Sequence, residues 1–301
     1  MAELDALLTK LEPELGAVTQ PPRALDGGFT NHNYRVGLGG EDYVLRVCGK
    51  DTSVLGIDRD NEREATRIAA ALGIGPDVVT FLDDEQCLVT RFVEGAPLGD
   101  GELRAEPYVS QAGRMLRTLH DGPPFPAMFN GFTIAPEHLE AMLERGGSPP
   151  RQYADAAAAA GRIRAVLHGG EHVLVPCHND LLAGNVLRAG DRLMLVDWEY
   201  AGMNDRFFDL ANLAVNNEFD QDDEARLLEA YFGEPASDRH RAELSLMRII
   251  SDFREAMWGA LQSVVGEIEM DYTAYADKHF ARLLDAAASP RFEEDLRAAA
   301  A

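Results

Sequence analysis

Residues 177–199 read CHNDLLAGNVLRAGDRLMLVDWE, and the rest of the chain is most easily placed relative to them. The apolar lead-in Val173-Leu174-Val175 predicts a strand that delivers His178 at its end. From Asn185 the chain runs Val186-Leu187-Arg188-Ala189, then Gly190-Asp191, then Leu193-Met194-Leu195-Val196, the pattern of a β-hairpin. A hairpin returns its second strand to where the first began. Asn185 and Asp197 are therefore predicted to lie side by side, with Asp180 a short loop away. Two carboxylates and a carboxamide at one sheet edge suit Mg²⁺, a hard cation that takes oxygen ligands and is completed by substrate phosphates. The expected roles follow. Asp197 and Asn185 hold a metal that bridges phosphates, and Asp180 takes the proton of an attacking hydroxyl or orients it. Singly, His178 would pass for a core histidine and Asp197 for a turn cap. The spacing of the whole set points to phosphoryl transfer, which depends mainly on positioning and charge neutralisation.

Working outward toward the N-terminus, Leu4, Leu7, Leu8, Leu11 and Leu15 mark an amphipathic helix over 4–15. After Pro21-Pro22 comes a strand–turn–strand pattern. Gly27-Gly28 sits in one turn, and Gly39-Gly40 leads into Tyr43-Val44-Leu45-Arg46-Val47. A helix is predicted over 60–72 and strands over 78–82 and 87–91. Beyond Gly95 and Pro97 the pattern turns helical, over 108–120, 152–167, 222–232, 239–265 and 272–287, interrupted by the strands and loops of 173–197. The expectation is an α+β chain with a small β-rich lobe, residues 1–93, and a larger helical lobe, residues 94–301.

CHNDLLAGNVL…LMLVDWEYAG resembles the catalytic and metal-binding segments of the aminoglycoside phosphotransferase and choline kinase superfamily, relatives of protein kinases with their His-Arg-Asp-x₄-Asn and Asp-Phe-Gly signatures. Trp198-Glu199 stands where protein kinases carry Phe-Gly. The resemblance implies a two-lobed protein-kinase-like fold, ATP and Mg²⁺ as cofactors, and catalytic roles for His178, Asp180 and Asn185. Asp26-Gly27-Gly28-Phe29-Thr30-Asn31 resembles the family's phosphate loop, in which Gly27 and Gly28 admit phosphates to the backbone and Thr30 and Asn31 donate hydrogen bonds. Arg46 takes the place of the protein-kinase β3 lysine, gripping a phosphate. Its partner is expected from the 60–72 helix, where Glu62 lies nearer the buried stripe of Ala65, Ile68, Ala69 and Leu72 than Glu64 does. Adenine is expected against the linker backbone of Arg91, Phe92 and Val93.

DWEYAGMNDRFFDLANL, with Glu199, Tyr200 and Asp209, is similar to the choline kinase segment after the metal-binding aspartate. Met257-Trp258-Gly259, Ile268-Glu269, Tyr272 and Tyr275 are similar to the C-terminal signature that builds the choline pocket. A quaternary ammonium has no N–H to donate and is held by aromatic faces with an acid nearby. Trp258, Tyr272 and Tyr275 are the candidate faces and Glu199 and Asp209 the candidate acids. Core packing by the tyrosines and loop bracing by Asp209 stand as alternatives. Leu261 and Met270 replace aromatics of eukaryotic choline kinases, and Asn216 replaces an acid. The resemblance thus implies a kinase acting on a small amino alcohol, choline foremost. Ethanolamine, thiamine or an aminoglycoside are alternatives within the same chemistry, and an inactive nucleotide-binding module lies outside it.

The composition fits a cytoplasmic enzyme. A net charge of −23 over 301 residues argues against nucleic-acid and anionic-membrane partners and is compatible with a cationic substrate. Cys48, Cys87 and Cys177 lack metal-ligand spacing and are expected as buried thiols. No basic leader or membrane-length apolar run is seen.

Overall fold

The computed structural model describes residues 2–25, 31–49, 55–99, 101–169, 173–266 and 270–301. Helix α1 (Ala2–Leu15) is followed by strands β1 (Val18–Ala24), β2 (Asn31–Leu38) and β3 (Glu41–Cys48), helix α2 (Arg59–Ala71), and strands β4 (Val78–Leu82) and β5 (Cys87–Arg91). The five strands make one antiparallel sheet in the order β1-β2-β3-β5-β4. The β2–β3 turn needs its two glycines. Leu38 pairs with Glu41, and Gly39 and Gly40 both take positive φ, 60° and 92°, as a two-residue hairpin turn requires. Leu7, Leu8 and Leu11 of α1 are buried with Val36, Leu38, Leu45 and Val89 of the sheet. Each such burial is worth about 1.5–3 kcal/mol, so packing rather than propensity holds this short helix. Strand β1 begins before Pro21-Pro22, earlier than its sequence suggests. It is an edge strand whose register shifts between Gln20 and Arg23, and there a proline's missing N–H is tolerated.

The remainder is mainly helical. A short strand β6 (Ala96–Pro97) precedes helices α3 (Tyr108–His120), α4 (Ile134–Glu144) and α5 (Tyr153–Leu167). Strands β7 (Val175–Cys177), β8 (Val186–Ala189), β9 (Arg192–Leu195) and β10 (Gly202–Asn204) follow, then helices α6 (Arg206–Asn216), α7 (Gln221–Phe232), α8 (Asp238–Val265), α9 (Tyr272–Ala288) and α10 (Pro290–Ala300). The expected α+β architecture, a β-rich N-terminal part and a helical C-terminal part, is the one found. Helices α4, α6 and α10 are not among the helices predicted from the sequence. In α6 every residue from Phe207 to Val215 is buried, the polar Asp209 and Asn212 included.

Helix α8 is the axis of the larger core, meeting α4, α5, α6, α9 and α10. Helix α2 belongs to that core as well. Ala65 and Ala69 join the large cluster rather than the one under α1. The buried Asn61 amide donates to the Ala201 carbonyl (2.6 Å) and accepts from the Ala127 N–H (3.0 Å), tying α2 to two loops of the helical part. Asp58 caps the helix through the N–H groups of Asp60 and Asn61. Glu62, one turn in, is thereby held in a fixed place. Among the described residues no helix is long and apolar enough to cross a membrane, and all three cysteines are free thiols.

Candidate active site

A cavity of about 1100 Å³ separates the five-stranded sheet from the helical part. The β8–β9 hairpin forms as predicted, with Val186 opposite Leu195 and the Val196 N–H donating to the Asn185 carbonyl (3.0 Å). Asn185 and Asp197 are thus neighbours on the cavity wall, and Asp197 holds a left-handed backbone, φ 71°. Such a conformation costs a non-glycine residue free energy, and residues under this strain cluster at functional sites. Asp180 stands opposite, its carboxylate accepting from the Asn185 carboxamide (3.3 Å).

The loop carrying Asp180 is fastened from below. Asp209, fully buried at the start of α6, accepts the N–H of His178 (2.8 Å) on one oxygen and that of Asn179 (2.7 Å) on the other. His120 supports Asp209 at 3.2 Å and is itself bonded to the Tyr231 hydroxyl. Asn179, left-handed at φ 66°, donates its amide to the Tyr200 carbonyl (2.9 Å) and accepts from Asn204 (2.8 Å). The His178 ring donates from Nε2 to the Val196 carbonyl (3.0 Å) and accepts the Asp180 N–H on Nδ1 (3.3 Å). Burial lowers its pKa, outweighing the raising effect of Asp209, and keeps it neutral.

On the sheet side, Arg46 donates from Nη1 to Glu62 (2.8 Å) and to Asp197 (2.7 Å). Burial opposes its charge, but the carboxylates of Asp197, Glu62 and Glu199 raise its pKa and keep it a cation. Glu62, not Glu64, is the partner. Glu62 also accepts from Arg59 (2.6 Å), and Arg59 lies 3.5 Å from Glu199. Asn31 donates to Glu199 (2.9 Å). Arg91, Phe92 and Val93 line the cavity between its two sides. The N–H groups of Arg91 and Phe92 are bonded to the Asp77 and Asp42 carbonyls. Gly27, Gly28, Thr30 and the Ile268-Glu269 pair lie outside the described residues.

His178, expected as a catalytic residue, and Asp209, for which substrate contact and loop bracing were both open, lie off the cavity wall, and both brace the loop. Tyr272 is buried off the wall and packs edge-on against Trp258, ring centroids 6.0 Å apart. Glu199 lines the cavity, and its carboxylate accepts from Asn31 and lies 3.5 Å from Arg59. The aromatics that do line the far side are Tyr200, Trp258 and Tyr275. Trp258 donates to the Tyr200 hydroxyl (3.1 Å) and meets Tyr275 edge-on at 5.7 Å.

Two residues that sequence reasoning missed stand among them. Arg254 donates to Asp180 (3.1 Å) and to Glu255 (2.7 Å), and its guanidinium lies over the Tyr200 ring at 4.4 Å. Glu255 accepts the Tyr275 hydroxyl on its other oxygen (2.8 Å). Burial raises the Asp180 carboxyl above its usual range, while Arg254 pulls the other way. Burial would also raise Glu255, but Arg254 and its other partners hold it below the usual range. A signal was present. Arg254 stands four residues after Ile250 and four before Trp258, so helical periodicity puts a charge on the buried face of α8.

The comparisons give the family. The model of the phosphotransferase enzyme family matches residues 22–245. The crystal structure of a choline/ethanolamine kinase family protein from Mesorhizobium loti superposes with a TM-score of 0.86 at 32% identity, covering 99% of each chain. The chain belongs to the choline/ethanolamine kinase-like group of the phosphotransferase enzyme family. Protein LicA of Haemophilus influenzae is 29% identical over 262 residues, 82% of this chain and 75% of LicA. Choline kinase LicA from Streptococcus pneumoniae shares the fold at a TM-score of 0.77 and 23% identity, over 96% of this chain and 99% of that one. As a member of this family the protein is a kinase. Asn185 and Asp197, neighbours on the cavity wall, carry side-chain oxygens of the kind that could hold Mg²⁺.

Proposed function

We propose that the protein transfers the γ-phosphoryl group of ATP to the hydroxyl of a small amino alcohol, choline foremost. One observation carries this reading. A single cavity holds the Asp180–Asn185–Asp197 set at its centre, with the Arg46 ion pairs on one side and the Trp258–Tyr275 aromatic wall on the other. In this scheme residues 1–93 form the nucleotide lobe. The purine rests against Arg91–Val93, and Arg46 grips phosphate oxygens. Asn185 and Asp197 would hold Mg²⁺, which supplies positive charge against the phosphates when bound.

The acceptor's hydroxyl is placed within reach of Asp180. Its oxygen forms a bond to the γ-phosphorus as the bond to the β,γ-bridging oxygen breaks, and the hydroxyl proton passes to the Asp180 carboxylate. The cationic head lies against the ring faces of Trp258 and Tyr275, each worth about 0.5–2 kcal/mol, with Glu255 as the nearby acid. Ethanolamine is the second reading. Arg254 already covers the Tyr200 face, and Glu255 together with the Tyr275 hydroxyl gives a primary ammonium acceptors to bond.

A coupled ATPase screen over choline, ethanolamine, thiamine and kanamycin tests both. Choline is expected to give the highest kcat/KM. A preference for ethanolamine replaces the first reading with the second, and turnover on kanamycin alone overturns both.

A further inference from the structure

We propose that Arg254 is a positioning residue for the transfer step: from α8 it holds the Asp180 carboxylate in register with the acceptor wall. The proposal rests on the functional reading of Asp180 and extends it to a residue of another element that acts through Asp180. The catalytic loop, His178 to Asn185, contains no lysine or arginine, so the cation that fixes Asp180 comes from another element. Arg254 is that cation, with 1% of its surface exposed and its Nη1 shared between Asp180 and Glu255.

Its position on α8 matters. Trp258 stands one turn further along the same helix and Glu255 is its neighbour, so a single rigid element carries both the acceptor wall and the group that orients the base. A second route runs in parallel. The Leu181 N–H donates to Asn212, whose amide donates to Ser251 (3.0 Å) and Glu255 (3.3 Å) on α8. Asp180 is thus referenced to the helix that bears the substrate rather than only to its own loop. Such coupling suits a reaction in which a misplacement of about 1 Å can cost on the order of 10²-fold in rate.

The way Arg254 is held predicts which variant rescues it. Among the described residues Nε and Nη2 have no hydrogen-bond partner, so one nitrogen and the stack on Tyr200 make the contact. A lysine ammonium reaches a similar place as a single point charge.

The test is a double-mutant cycle of Arg254→Met with Asp180→Asn, run on whichever acceptor the wild type phosphorylates, so an error in the substrate leaves this test intact. Arg254→Met is expected to lower kcat about 10–100-fold and leave KM for Mg·ATP within about threefold. In the Asp180→Asn background the same change is expected to cost less than about threefold, because the group it positions is already disabled. Arg254→Lys should recover about tenfold of the loss. Should the Met variant fail to fold because Glu255 is left buried without its cation, Arg254→Met/Glu255→Gln, which removes both charges, and Arg254→Lys carry the cycle. Equal costs in the two backgrounds, or no rescue by lysine, overturn the proposal.

Discussion

Two arginines line the cavity, each with one nitrogen shared between two carboxylates. Arg46 bridges Glu62 (2.8 Å) and Asp197 (2.7 Å); Arg254 bridges Glu255 (2.7 Å) and Asp180 (3.1 Å). The local chemistry is alike, but the construction differs. The Arg46 cluster joins β3, α2 and the segment after β9, so it ties the sheet to the helical part. The Arg254 cluster joins α8 to the catalytic loop inside the helical part. The first therefore depends on how the two sides of the cavity meet, and the second on the packing of one core. A charge on the Arg46 side should govern nucleotide and metal; a charge on the Arg254 side should govern the acceptor and the base.

The sharpest way to break that division is Asp197→Ala. It should abolish Mg²⁺-dependent nucleotide binding, whereas Asn185→Ala weakens it and raises the Mg²⁺ requirement, because a carboxylate charge holds a divalent cation better than an amide dipole. Calorimetric titration of Mg·ATP checks this, and an unchanged affinity in Asp197→Ala removes Asp197 from the metal site. Next is Asp180→Asn, expected to lower kcat by at least about 10²-fold with ATP binding kept. Turnover near wild type in a folded variant sinks its role as base.

Smaller effects sharpen the comparison. Trp258→Ala should raise KM for choline about tenfold while KM for ATP stays put. The truncation also costs about 3–5 kcal/mol of stability, so Trp258→Phe is the cleaner probe. A rise in both KM values would show that the two sides are not separate. The smallest effect is expected from Tyr272→Phe. With Tyr272 off the cavity wall, kcat/KM should change by less than about twofold, the range of a conservative change away from substrate. A tenfold loss would return Tyr272 to the acceptor pocket.

The nucleotide side was the more legible in sequence for a physical reason. Asp197, Asn185 and Asp180 are joined by a loop and one hairpin, and hairpin register follows from turn length and alternation. Glu62 was chosen over Glu64 from the stripe on a single amphipathic helix, and the structure agrees. The acceptor side draws on α6, α8 and α9, which are distant in sequence. Loop bracing is one of two readings the sequence allows for Asp209, and the fold puts its oxygens on the His178 and Asn179 N–H groups; for His178 only the fold shows a ring bonded to backbone of and beside that loop. Trp258, Tyr272 and Tyr275 read as one aromatic group, and helix packing decided that Tyr272 turns into the core while the other two face the cavity.

By itself, then, the sequence determined the β-rich and helical parts, the hairpin that pairs Asn185 with Asp197, and the reaction class, because each follows from local periodicity, turn chemistry and residue spacing. The tertiary structure decided that α2 is locked to the helical part through Asn61, and that Arg254 and Glu255 sit beside Asp180. A charged pair in a helix reads as a solvated face until the packing of its neighbours is known. Here α8 meets five other helices, so the pair is kept from water, and Arg254 is turned toward Asp180.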